Sequence, residues 1–181
     1  MSKRQKQLHN TYFRQRENAI DRINQYKTYE LIYFIENNIE VKLDKFMVFD
    51  MLLYSKKFKD KLSPEHYNML SNAHITYLLA WVDDEYINYF SEDSINSLTE
   101  TNIHEILSQK PQLVDRLPLE NLSGYYIIAI LFHQPQLVDK LPIEKLDMEK
   151  ITQDGNTFFY LRNLLRKYPD LKIKFKEWGV L

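Results

Sequence analysis

Along the chain, apolar residues recur at spacings of three and four and are interrupted at short intervals by Ser, Thr, Asp or Pro. That is the pattern of many short amphipathic helices. The clearest case is Gly124 to His133, where Tyr126, Ile127, Ile130 and Leu131 follow helical spacing and Ser123 is placed to cap the N-terminus. Pro135 stops that helix and can open the next, because the first turn needs no proline N–H. Leu137 and Leu141 then lie four apart on one side of a second short piece. Nearer the N-terminus, Phe13, Ile20, Ile23 and Tyr26 predict an amphipathic helix over 10–27. Thr28 can cap a second helix through Asn37, with Leu31, Ile32, Phe34 and Ile35 inward, and Asp44 to Lys56 reads as a third.

The pattern repeats. Pro111-Gln-Leu-Val-Asp-Arg-Leu-Pro-Leu-Glu-Asn-Leu122 recurs as Pro135-Gln-Leu-Val-Asp-Lys-Leu-Pro-Ile-Glu-Lys-Leu146, a period of 24 with nine of twelve positions identical. A degraded copy follows around Leu164, Leu165, Pro169 and Leu171, with Phe175 in place of Leu141. Its spacing of 34 implies an excess absorbed by a turn at Asp154-Gly155-Asn156. Upstream, Leu79, Tyr86, Phe90 and Ile95 match Ile106, Leu113, Leu117 and Leu122 at an offset of 27, and Phe58, Leu62 and Tyr67 precede Tyr86, Phe90 and Ile95 by 28. The expectation is an all-α, solenoid-like array of about five units over 49–181, behind a helical cap over 1–48, in one compact domain. A leucine-rich repeat is the rival, since Val138, Leu141 and Ile143 match its opening spacing. Pro142 would remove a ladder donor from its strand.

The units resemble a repeat of many phage, prophage and bacterial proteins: an aliphatic pair, then Gln-Pro-Gln-Leu-x-Asp-Lys, then a short leucine linker. Ile130-Leu131, Gln134-Pro135-Gln136-Leu137 and Asp139-Lys140 carry the resemblance, as do Ile106-Leu107, Pro111-Gln112-Leu113 and Asp115-Arg116. It implies an interaction scaffold without a shared enzymatic activity.

Composition narrows the class. Gly is 3 of 181 residues, which excludes Gly-rich phosphate loops, and the absence of Cys excludes disulfides, thiol nucleophiles and Cys-ligated zinc. No apolar run approaches a membrane span, and the polar start Met1-Ser2-Lys3-Arg4-Gln5 is not a secretory signal, so a cytoplasmic protein is expected. The net charge of −1 conceals an asymmetry. Seven basic residues lie within the first 27, whereas from Leu62 to Gln109 there is no Lys or Arg against eight acids. An acidic face built from them would attract a basic partner.

Candidate chemistry is sparse. No His pair has i, i+4 spacing and no His-Glu-x-x-His occurs, so neither metal nor cofactor is expected. Asp83-Asp84-Glu85 more simply complements a helix dipole than binds a cation. Arg4 and His9 fit the Arg-x-x-x-x-His pattern of helical ribonucleases resembling the HEPN superfamily, which implies metal-independent RNA cleavage or nucleic-acid binding through the basic N-terminal helix. The favoured expectation is a non-enzymatic protein-binding module without a catalytic residue. It would engage a basic protein surface through Trp81, Asp83, Asp84, Glu85, Tyr86, Tyr89, Glu92 and Asp93, with Tyr86 and Tyr89 as anchors. With the phage-like repeats, an inhibitor of a host nucleic-acid-binding defence enzyme, in the manner of an anti-CRISPR protein, fits that picture.

Overall fold

Every regular element among the described residues of the computed structural model is helical; these are residues 29, 30, 33, 37, 42–54 and 56–181. The leucine-rich reading fails accordingly: Leu141 and Ile143 are buried beside 3-10 turns, and no described residue joins a strand. The helix expected over 10–27 lies outside the described residues, as does most of the one from Thr28 to Asn37. The chain divides into two compact units, Met1–Met69 and Leu70–Leu181. The boundary expected at residue 48 falls inside the first.

In the first unit, helix α1 (Lys45–Tyr54) starts because Asp44 Oδ1 accepts from the backbone N–H groups of Phe46 (2.8 Å) and Met47 (3.0 Å). Its buried face is Val48, Met51 and Leu52. A 3-10 turn (Lys56–Phe58) and helix α2 (Pro64–Asn68) follow, and bury Phe58, Leu62 and Tyr67. The Tyr67 hydroxyl donates to the Lys59 carbonyl at 2.7 Å.

The second unit begins with α3 (Asn72–Tyr77), prolonged by a π turn (Leu78–Val82) closed by Asp83 N–H to Leu78 O at 2.9 Å. A 3-10 helix (Asp84–Asn88) and α4 (Glu92–Asn96) lead to α5 (Glu100–Gln109). Short 3-10 segments at Pro111–Arg116 and Leu119–Asn121 connect α5 to α6 (Gly124–His133). Further 3-10 segments at Pro135–Leu137 and Ile143–Lys145 precede α7 (Met148–Gln153), α8 (Gly155–Lys167) and α9 (Pro169–Glu177).

Helices α3, α5, α6 and α8 start after Ser71, Thr99, Ser123 and Asp154, residues suited to the N-cap, and each packs on the next. Ser123 and Pro135 stand where the sequence places them. The excess of the last copy is not a turn, however. It is α7, and Asp154 is the N-cap of α8, accepting from Asn156 N–H (3.2 Å) and from the Thr157 hydroxyl. Chain reversal after α9 uses Gly179 at φ +70: Gly179 N–H reaches Lys176 O (3.1 Å) and Val180 N–H reaches Phe175 O (2.8 Å), a Schellman motif.

The core follows the apolar register. Leu79, Tyr86, Phe90, Ile95, Ile106, Leu113, Leu117, Leu122, Ile130, Leu131, Leu137, Leu141, Leu171 and Phe175 are all buried. Hydrogen bonds between elements mostly join residues 23 to 28 apart, among them Asn72 Nδ2 to Ser97 O (25), Gln134 Nε2 to Ser108 O (26) and Arg116 Nη1 to Asn88 Oδ1 (28). Across the inserted α7 the separation rises to 35, where Lys174 Nζ donates to Asp139 (2.6 Å).

Candidate protein-binding surface

The cation-free stretch delivers fewer free carboxylates to solvent than its composition implies, because the fold employs several of them. Asp83 caps the 3-10 helix by accepting from Glu85 N–H at 3.1 Å. Asp84 Oδ2 accepts from Gln112 Nε2 at 2.6 Å, Glu100 Oε2 from Ser123 N–H at 2.6 Å, and Glu105 Oε1 from Trp81 Nε1 at 3.0 Å. Each of these last three bonds ties one segment to another further along the chain. Glu85, Glu92 and Asp93 stay exposed, and the latter two sit in the first turn of α4, where they complement its dipole.

Aromatic placement separates the expected anchors. Trp81 is 54% exposed: the π turn gives its segment an extra residue per turn, and Trp81 leaves the buried stripe formed by Leu78, Leu79 and Ala80. Tyr89 is half-buried. Tyr86 is not a surface anchor. It is fully buried, and the reason is its register, since it occupies the same apolar position as Phe58 and Leu113 in the segments before and after it.

An open depression of about 450 Å³ adds residues that the charge count missed. Ile87, Phe90, Ile95 and Leu117 lie beneath it, nearly fully buried, and its accessible lining is mainly polar, with Glu92, Asp115 and Glu120 around it together with Arg116. Lys140 pairs with Asp115, and Arg116 is held by Asn88 Oδ1 at 3.1 Å. Among the described residues Glu92 and Glu120 have no ion-pair partner. The sequence signals this only in part: Glu120 and Glu144 are 24 apart, one repeat period, whereas Glu92 lies 28 before Glu120, one residue off the 27-residue register of those segments. Such a depression can receive the aliphatic stem of a Lys or Arg and pair its charge at the rim.

His104, on α5, is half-buried, with rings of Tyr126 and His133 each centred 5.9 Å away. Its Nε2, like Ser108 Oγ, has no hydrogen-bond partner among the described residues. Burial, and next the charge of His133, hold its pKa below the ordinary 6.5, while Glu105 opposes them. Unfolded chains therefore bind more protons than folded ones between the depressed value and 6.5, so stability is complete above that window and falls as pH drops through it. Urea midpoints measured against pH should show this decline, and His104→Gln should flatten it.

Among the described residues, no three His, Asp or Glu side chains converge to hold a metal, and no helix is long and apolar enough to cross a membrane. Arg4 and His9 lie outside the described residues. No family model, curated protein or solved structure matches this chain.

Proposed function

We propose that residues 70–181 form a short helical solenoid acting as a non-enzymatic binding module for a basic protein surface. Two observations support stacked units: recurring long-helix and short-helix segments behind polar caps, and hydrogen bonds that link residues one period apart. The observation that carries the binding reading is the depression itself. The carboxylates of Glu92 and Glu120 have no ion-pair partner among the described residues, although Arg116 shares the depression and Lys145 Nζ donates to the Glu120 carbonyl. Asp115 and Asp139, which correspond to each other in the repeat, instead pair with Lys140 and Lys174. Exposed Trp81, with its indole N–H held by Glu105, supplies an aromatic anchor, and Glu85, Asp93 and Tyr89 border the same segment. A nucleic-acid-binding enzyme presents such a basic surface, and the phage-like repeats extend the proposal to an inhibitor of one.

Affinity capture from a bacterial lysate tests this reading. The full chain should retain a basic protein at low salt. Reversing Glu92 and Glu120 to Lys should mainly slow association and reduce its salt dependence, and Trp81→Ala should speed dissociation about tenfold or more. A retained partner indifferent to all three changes defeats the proposal. So does cleavage of labelled RNA by the purified chain that is lost in both Arg4→Ala and His9→Ala.

A further inference from the structure

The C-terminal helices carry a groove of the opposite character. Phe158, Leu161 and Leu165 of helix α8, at i, i+3 and i+7, line an open groove of about 350 Å³ together with Met148 and Leu181; Leu161 is buried at its base, and Phe158 and Leu165 are accessible. Arg162 and Arg166, on the same side of α8, and Lys172 of α9 stand around it; no Asp or Glu lines it. Two other cations of this region are engaged: Lys174 pairs with Asp139, and Lys167 lies over the rings of Phe132 and Tyr168. Among the described residues, Arg162, Arg166 and Lys172 have neither an ion-pair nor a hydrogen-bond partner.

We propose that this groove docks an acidic amphipathic helix of a partner protein. The apolar lining flanked by cations fits an incoming helix whose own apolar residues recur at helical spacing, and that face would cover Phe158 and Leu165. Arg162 and Arg166 are one turn apart, which matches two carboxylates spaced i, i+4 on the incoming helix. The floor is mainly aliphatic, with Phe158 as its one aromatic ring, so it offers little surface for stacking bases. The groove is open to solvent rather than an enclosed pocket of the kind that buries most of a small ligand. None of these residues lines the acidic depression.

The test is fluorescence anisotropy with the full chain and a labelled synthetic helix of about five turns, leucines on one face and glutamates flanking them. Saturable, salt-sensitive binding is expected. Replacing the glutamates of the peptide by glutamine, or introducing R162E/R166E into the protein, should each weaken it about tenfold or more. A lysine-flanked peptide should recover affinity for the R162E/R166E protein. The E92K/E120K protein should bind the acidic helix as the unmodified chain does, which keeps this outcome separate from that of the acidic surface. Absence of saturable binding, or equal affinity for the glutamine peptide, overturns the proposal whatever the variants do. Arginine-dependent binding of phosphatidylglycerol vesicles or of single-stranded oligonucleotides, in place of the peptide, overturns it in favour of a membrane or nucleic acid.

Discussion

Replacing Tyr86 by alanine should destabilise the fold by about 3–5 kcal/mol, the range for truncating a fully buried aromatic side chain. The phenol is wholly enclosed, in a 3-10 helix whose other buried residue is Ile87, while Asp84 and Glu85 of the same helix turn outward. Removal leaves a cavity that the surroundings fill only in part, because Leu79 and Phe90 belong to the same rigid apolar register. An anchor at an interface behaves otherwise: its truncation spares the free protein and shortens the lifetime of the complex. Chemical denaturation of the purified variant separates the two cases without a partner. A midpoint unchanged from the unmodified chain would return Tyr86 to the surface.

Tyr86 also shows where reading the sequence succeeds and where it misleads. Its match to Leu113 and Phe58 identifies a core position, and the structure agrees. Its proximity to Asp83-Asp84-Glu85 points to a binding surface, and that inference fails, because neighbours in sequence on a tight helix face different directions. Register is a statement about three-dimensional direction; clustering in sequence is not. The same contrast explains the acids. The absence of cations from Leu62 to Gln109 was legible at once. Nothing local reveals that Glu100 reaches Ser123 or that Glu105 reaches Trp81, since those bonds span 23 and 24 residues and exist only once segments one period apart lie side by side.

Capping and stop signals were legible because their physics is local. Ser123 stands at the N-cap position of α6 without a side-chain capping bond, Pro135 opens the next segment, and Asp44, the start of the third helix in the sequence reading, caps α1. The excess before α8 is ambiguous in the sequence for a related reason. Asp154-Gly155-Asn156 has the composition of a turn, but an Asp in extended backbone followed by free N–H groups is equally an N-cap. Only the length of the insertion, enough for the six residues of α7, distinguishes the two.

Leu137→Ala should cost about 2–5 kcal/mol, and Leu113→Ala and Leu171→Ala should fall in the same range. The three leucines occupy corresponding positions after Pro111, Pro135 and Pro169, and each is 5% exposed. They do so in different local structures, 3-10 segments for the first two and the α-helix α9 for the third. Equal cost would therefore report a shared position in the packing and not a shared backbone. Ile173 provides the control within α9: it lies two residues from Leu171 but is 59% exposed. Ile173→Ala should shift stability by no more than about 0.5 kcal/mol, as for a surface site. Urea midpoints of the four variants, at matched m-values, measure this directly. If Leu171→Ala matched Ile173→Ala while Leu113→Ala and Leu137→Ala were costly, the third copy would share the sequence pattern without sharing the packing, and the proposed solenoid would end before α9.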